Sequence, residues 1–161
     1  MKRNPQDVPH SAFLLHLLIT CNVVINFIIN VANAPVQAAA ILSVLVVILV
    51  YAFISLLLWC LKRTSRTQQT LVALFGTDLV IGGPAIVLRY WLQWLNANNL
   101  QSDIAVLLWM CLYVWNLIVI AHILRHAFGK SFGVGVAASI AYTIVLFNVM
   151  YLAHDLLVGP V

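Results

Sequence analysis

The sequence predicts an all-α integral membrane protein, a bundle of about five transmembrane helices that forms one domain over residues 1–161. Hydrophobic residues make up 64% of the chain and charged residues only 7%, whereas soluble globular domains carry about 25% charged residues. Eight basic and four acidic side chains are too few to cover a water-soluble domain of 161 residues. We therefore expect lipid to surround most of the chain.

Helices are favoured over a transmembrane barrel because the apolar stretches do not alternate with polar residues. Backbone polar groups in hydrocarbon must pair with one another, so spans are helices or strands of a closed barrel. Barrel strands alternate in polarity, but AAAILSVLVVILVYAFISLLLW does not. Five stretches reach the roughly 20 residues that a bilayer requires, and they cover residues 11–31, 36–61, 70–95, 104–125 and 132–157.

Each stretch has its own feature. The first is long for a signal peptide and carries three asparagines, so we expect it to be retained. The second exceeds the bilayer thickness, which favours a tilted helix. The third contains Gly82-Gly83-Pro84, and proline removes one helical hydrogen bond and clashes with the carbonyl four residues back, so we expect a kink or break there. The polar loop NANNLQSD precedes the fourth stretch, and the turn HAFGKSFG precedes the fifth.

The positions of lysine and arginine predict the orientation. Cytoplasmic loops of membrane proteins are enriched in these residues. A cytoplasmic N-terminus and an external C-terminus place seven of the eight basic residues inside and Arg89 on the opposite side; the seven are Lys2, Arg3, Lys62, Arg63, Arg66, Arg125 and Lys130. With no organelle-targeting segment evident, we expect a multi-pass protein of a cell membrane, the bacterial cytoplasmic (inner) membrane. The scattered basic residues do not indicate nucleic-acid binding.

Asp78 is the leading candidate for a functional residue, since ionisable side chains inside a bilayer are costly. It lies near the bilayer middle, four residues before the Gly-Gly-Pro sequence. Transporter sites often combine a polar side chain with an unwound helix near midplane. The structural alternative is a neutral carboxyl that hydrogen-bonds to an asparagine of another span. The asparagines expected at similar depth are Asn22, Asn26, Asn116 and Asn148.

Two histidines form a weaker candidate site. With the orientation above, His16 and His122 lie at comparable depth in the first and fourth spans. Imidazoles from two helices can bind haem iron or another metal. No cysteine or carboxylate accompanies them, so we expect no cofactor and no metal. The alternative to a haem or metal site is that the histidines are interfacial residues near the lipid headgroups.

No arrangement of residues suited to hydrolysis or phosphate binding is evident, which favours a non-enzymatic protein. Small residues four apart near the start of the fifth span, including Gly135 and Ser139, predict close helix packing.

The sequence leaves three hypotheses for the function. The first is a scaffold or accessory subunit that binds a membrane protein or a second copy of itself. The second is a small proton- or ion-coupled transporter that uses Asp78, and the third is a redox protein that uses His16 and His122.

The third span also carries a family resemblance. The run RTQQTLVALFGTDLVIGGPAIVL, from Arg66 to Leu88, resembles a span of the Yip (Ypt-interacting protein) family, in which a polar entry precedes an apolar segment with small residues and a proline. The resemblance implies five spans with a cytoplasmic N-terminus and an external C-terminus. It implies no particular functional residue.

Overall fold

A computed structural model describes residues 12–32, 34–98, 100 and 103–159. Five long α-helices account for nearly all of this part, and a 3-10 turn, Thr64–Arg66, precedes the third; the helices are α1 (Ala12–Val31), α2 (Val36–Cys60), α3 (Thr67–Ala97), α4 (Asp103–Phe128) and α5 (Phe132–Val158). Each helix is long and apolar enough to cross a membrane. The predicted five-span, all-helical fold is confirmed at this level. Lys2 and Arg3 lie outside the described residues.

Helices α3 and α4 extend beyond the apolar stretches 70–95 and 104–125 that predicted them. α3 begins at Thr67 and includes Gln68 and Gln69, because glutamine is a good helix former even where it is not buried. α4 continues to Phe128 through Arg125 and His126, and basic residues in a last turn interact favourably with the helix dipole. Apolar length therefore underestimates the length of both helices.

The Gly82-Gly83-Pro84 segment does not interrupt α3. Helical structure continues from Thr67 to Ala97 with Pro84 inside it, so the expected break is wrong, and a bend of the axis stays a prediction. Transmembrane helices tolerate proline where neighbouring groups satisfy the freed backbone. Gly82 instead permits close packing, since a Cβ atom there would lie 2.9 Å from the Ile25 side chain of α1.

The five helices form a ring. Around it, α1 contacts α2, α2 contacts α5, α5 contacts α4, α4 contacts α3, and α3 returns to α1. A smaller contact joins α2 to α3. Because each helix has a neighbour on both sides, all five contribute one face to the middle of the ring.

One end of the ring is tightly packed. We call it the basic end, because the helix ends and loops there carry five basic residues, Lys62, Arg63, Arg66, Arg125 and Lys130. Fully buried side chains fill this end, including Ile54 and Leu58 of α2, Leu71 and Leu74 of α3, and Leu124 of α4. The apolar core therefore occupies the half of the bundle that contains the C-terminal ends of α2 and α4 and the N-terminal ends of α3 and α5.

Most of the large side chains outside the ring are apolar. Large hydrophobic residues are exposed on every helix, including Phe13, Ile48, Val87, Leu107 and Leu156. Soluble monomers rarely expose apolar surface this extensive, whereas a protein surrounded by the hydrocarbon of a bilayer does. The exterior supports the multi-pass membrane assignment independently of helix length.

Candidate functional site

A partly open cavity of about 390 Å³ lies in the middle of the ring. Small-molecule sites in proteins occupy about 300–1,000 Å³. Polar side chains from four of the five helices line it: Asn22 and Asn26 of α1, Asp78 of α3, Asn116 of α4, and Tyr142 and Thr143 of α5. Val46, Val47 and Val50 complete the lining from α2. Four of the five predicted polar residues thus share one site.

The packed core forms the floor of this cavity. Val50, Phe75, Ile120 and Tyr142 belong both to the cavity lining and to the core at the basic end. In the other direction the lining reaches Ile29, near the end of α1. The cavity therefore extends from mid-bundle toward the end opposite the basic loops.

Asp78 lies in this cavity, roughly 16 Å along α3 from Thr67 at 1.5 Å per residue. Its residue surface is half-buried. Within the described part of the chain, its carboxyl makes no hydrogen bond or ion pair, and no bond joins it to any of the four predicted asparagines. The structure thus gives Asp78 a cavity rather than an asparagine partner.

Asn22 and Asn26 are held by backbone carbonyl groups. The Asn22 Nδ2 atom donates to the Leu18 carbonyl at 2.9 Å and to the Phe75 carbonyl at 2.8 Å. The Asn26 Nδ2 atom donates to the Asn22 carbonyl at 2.9 Å. A carbonyl oxygen can only accept, and of the two ends of an asparagine amide only the nitrogen donates, so the nitrogen is the atom that faces each carbonyl. Neither Oδ1 atom accepts a hydrogen bond from any described residue.

Asn116 and Asn148 have different surroundings. The Asn116 Oδ1 atom is buried and has no hydrogen-bond partner among the described residues, which is unusual because most buried polar atoms are paired. Asn148 is exposed, and its Nδ2 atom donates to the Ile144 carbonyl of its own helix at 2.7 Å. Asn148 does not line the cavity, so it lies outside the cluster in which it was expected.

The sequence analysis missed Tyr142, Thr143 and Tyr113, all of which line the cavity. Tyr142 is buried, and its ring packs edge-on against Phe53 of α2 at 5.5 Å. Tyr142 lies almost as far into α5 as Asp78 lies into α3, and both helices start at the basic end. Comparing depths for tyrosine as well as asparagine would have found it.

The two candidate haem or metal ligands lie outside the cavity. His16 is exposed, and its Nδ1 atom is 2.6 Å from the Ala12 carbonyl of its own helix. His122 is also exposed and stacks on His126, with Phe132 beside it. Among the described residues, no three histidine, cysteine or acidic side chains group as metal ligands would. A site shared by His16 and His122 stays a prediction.

No protein-family model, curated protein or solved structure matches this chain. The resemblance to the Yip family therefore stays a prediction, and the cavity itself is the evidence on function.

Proposed function

We propose that this protein is a small proton- or ion-coupled transporter in which Asp78 is the coupling group. The observation that carries the proposal is an Asp78 carboxyl that has no hydrogen-bond or ion-pair partner among the described residues and lies in a cavity with several polar side chains at the centre of five spans. Ionisable residues inside membranes commonly mark ion pathways and proton relays. A purely structural Asp78 would instead hydrogen-bond to a neighbouring helix.

Coupling requires a carboxyl that exchanges a proton for the transported species. Asp78, Tyr113 and Tyr142 are the titratable groups that line the cavity. Of these, a carboxyl is the group that ionises most readily. We assign the exchange to Asp78 and the positioning of the bound species to its uncharged neighbours.

The position of the packed core favours one side of access. The core closes the basic end of the ring, and the cavity lies in mid-bundle beyond it. With the excess of basic residues on the cytoplasmic side of a bacterial cytoplasmic membrane, we propose that access is from the external side. Reporters fused at Met1 and Val161 should lie on opposite sides of that membrane; reporters on the same side would contradict five crossings.

The scaffold hypothesis loses one of its motivations. Gly135 and Ser139 are buried, and a Cβ atom at Gly135 would collide with the Ala121 carbonyl of α4. Gly135 therefore packs α5 against α4 of the same chain and needs no partner subunit to explain it, whereas Gly133 and Ala137 of the other small-residue pairs are exposed.

Flux in proteoliposomes tests the proposal. Vesicles loaded with a pH-sensitive dye are exposed to Na⁺, K⁺ or benzyltrimethylammonium, and proton movement is recorded. We expect at least one of these cations to drive proton movement that Asp78→Asn abolishes. Asp103→Asn is the matched control, because it removes the same charge at the exposed start of α4. Proton movement that is unchanged by Asp78→Asn, or absent with every cation in folded protein, would contradict transport through Asp78.

A further inference from the structure

We infer that the cavity binds a small organic ammonium ion, a monocation with an apolar body. The inference rests on the proposed function for its site and adds the class of ligand. It follows from three properties of the lining: its hydrogen-bonding character, its charge and its apolar walls.

The cavity offers several acceptor oxygens that have no donor among the described residues, beside the donors of Tyr113, Tyr142 and the Asn116 amide. Asn22 uses both amide hydrogens on backbone carbonyls, and Asn26 uses one. Their Oδ1 atoms accept nothing from described residues, and the buried Asn116 Oδ1 atom is also without a partner. The Asp78 carboxyl adds two more acceptor oxygens. A ligand rich in N–H donors would complete these groups, whereas an acceptor-rich ligand would leave them unpaired.

The charge of the lining selects a cation. Asp78 is the one acidic residue among the described residues of the lining, and no lysine, arginine or histidine is among them. A single carboxylate in a low-dielectric site balances a single positive charge and repels anions. No described residue donates a hydrogen bond to Asp78, so a cationic ligand can supply that donor.

The walls favour an organic cation over a metal ion. Apolar side chains such as Ile25, Leu146 and Met150 make up most of the lining, and three aromatic side chains, Phe75, Tyr113 and Phe147, join Tyr142 there. Aromatic faces attract ammonium groups. A bare metal ion needs a tight cage of several oxygens, and a cavity of about 390 Å³ is far larger than such a cage.

Three compounds that share a phenethyl group and differ in charge test the ligand class by equilibrium binding to the full chain in nanodiscs. They are phenethylammonium, the neutral 2-phenylethanol and the anionic 3-phenylpropionate. We expect saturable binding of phenethylammonium, on the order of tenfold tighter than the alcohol because of its charge-assisted hydrogen bonds, and no binding of the anion. This comparison uses the unmodified protein, so it does not depend on how any variant folds.

Variants locate the site. Asp78→Asn should weaken phenethylammonium binding on the order of tenfold or more, while Asp103→Asn leaves it unchanged. Asn116→Leu should also weaken binding, while Asn148→Leu, at the exposed asparagine outside the cavity, should not. Binding that is insensitive to Asp78→Asn would overturn the inference, as would equal binding of the alcohol and the ammonium ion.

The two proposals can fail separately. Proton movement that depends on Asp78 and responds to Na⁺, without phenethylammonium binding, would overturn the ligand class and leave transport standing. Phenethylammonium binding that depends on Asp78, without flux of any cation, would support the ligand class and contradict transport.

Discussion

The Nδ2 atom of Asn22 donates a 2.8 Å hydrogen bond to the backbone carbonyl of Phe75, which joins α1 to α3 inside the bundle. Asn22 is a buried polar side chain, at 2% exposure. The bond lies at the floor of the cavity, where Phe75 is also part of the packed core. It therefore ties the first helix, whose one buried residue is Asn22 itself, to the packed core at the basic end.

Asn22→Leu should lower the thermal stability of the protein in mild detergent. The substitution removes the bond between helices, and such bonds contribute about 0.6 kcal/mol on average and up to about 1.7 kcal/mol. Asn148→Leu is the matched control, because the Asn148 amide bonds only to its own helix and is exposed. Equal losses of stability in the two variants would show that the bond to Phe75 has no special role.

The fold was largely predictable because it depends on composition. Long apolar stretches without polar alternation form helices in lipid, and the basic residues mark the ends of the spans. The behaviour of α3 at Pro84 was not predictable, because local sequence shows the hydrogen bond that proline removes but not the neighbours that accommodate it. Gly82 illustrates this point, since its role depends on Ile25 of another helix.

The sequence predicted how deep the residues of the candidate site lie in the membrane, but not the direction in which each side chain points around its helix. Asp78 and three of the four asparagines line the cavity, and Asn148 does not. Asn148 is six residues after Tyr142, and at about 100° per residue it points to a different face of α5. The few polar residues of α5, such as Ser139 and Asn148, do not lie on one face, so no sequence periodicity indicates which face is inside. Contacts with α2 and α4 decide it.

Gly135→Val should disrupt the packing of α5 on α4. A Cβ atom at this position meets the Ala121 carbonyl and the Arg125 backbone nitrogen, at 3.2 Å for the latter, and backbone atoms cannot move aside as side-chain ends can. Overpacking of this kind costs about 1–3 kcal/mol. Gly133→Val makes the same chemical change two residues earlier, where a Cβ atom would meet nothing within 4 Å. We expect thermal unfolding at a lower temperature for Gly135→Val alone; similar shifts in both variants would point to helix propensity rather than packing.

Arg66→Gln should destabilise the last turn of α4. The Arg66 Nη1 atom donates to the His126 carbonyl at 2.9 Å and to the Ala127 carbonyl at 3.4 Å. A cation at a helix C-terminus interacts favourably with the helix dipole, and the loss should be about 1 kcal/mol. Hydrogen exchange of the amides from Leu124 to Phe128 should become faster. Lys130→Gln is the control, because its side chain makes no hydrogen bond within the described residues; faster exchange in both variants would mean that net charge, not the Arg66 contact, protects the turn.

Lys62→Gly should stabilise the protein, because Lys62 occupies a position that favours glycine. After α2, the Lys62 amide bonds to the Trp59 carbonyl and the Arg63 amide to the Leu58 carbonyl, and Lys62 has φ of 55°. After α4, Gly129 and Lys130 make the same pair of bonds, to His126 and Arg125, with glycine at φ of 59°. This turn ends many helices and usually has glycine at the residue with positive φ.

The expected gain from Lys62→Gly is small, roughly 0.5 kcal/mol, because relief of left-handed strain is partly offset by the greater freedom of glycine in the unfolded chain. Lys62→Ala removes the same charge but keeps the Cβ atom, so it should give no gain, and Gly129→Ala should lower stability. Thermal unfolding of the three variants in one detergent shows whether each substitution raises or lowers the stability. Equal shifts for Lys62→Gly and Lys62→Ala would assign the effect to charge, and the two turns would then not be equivalent.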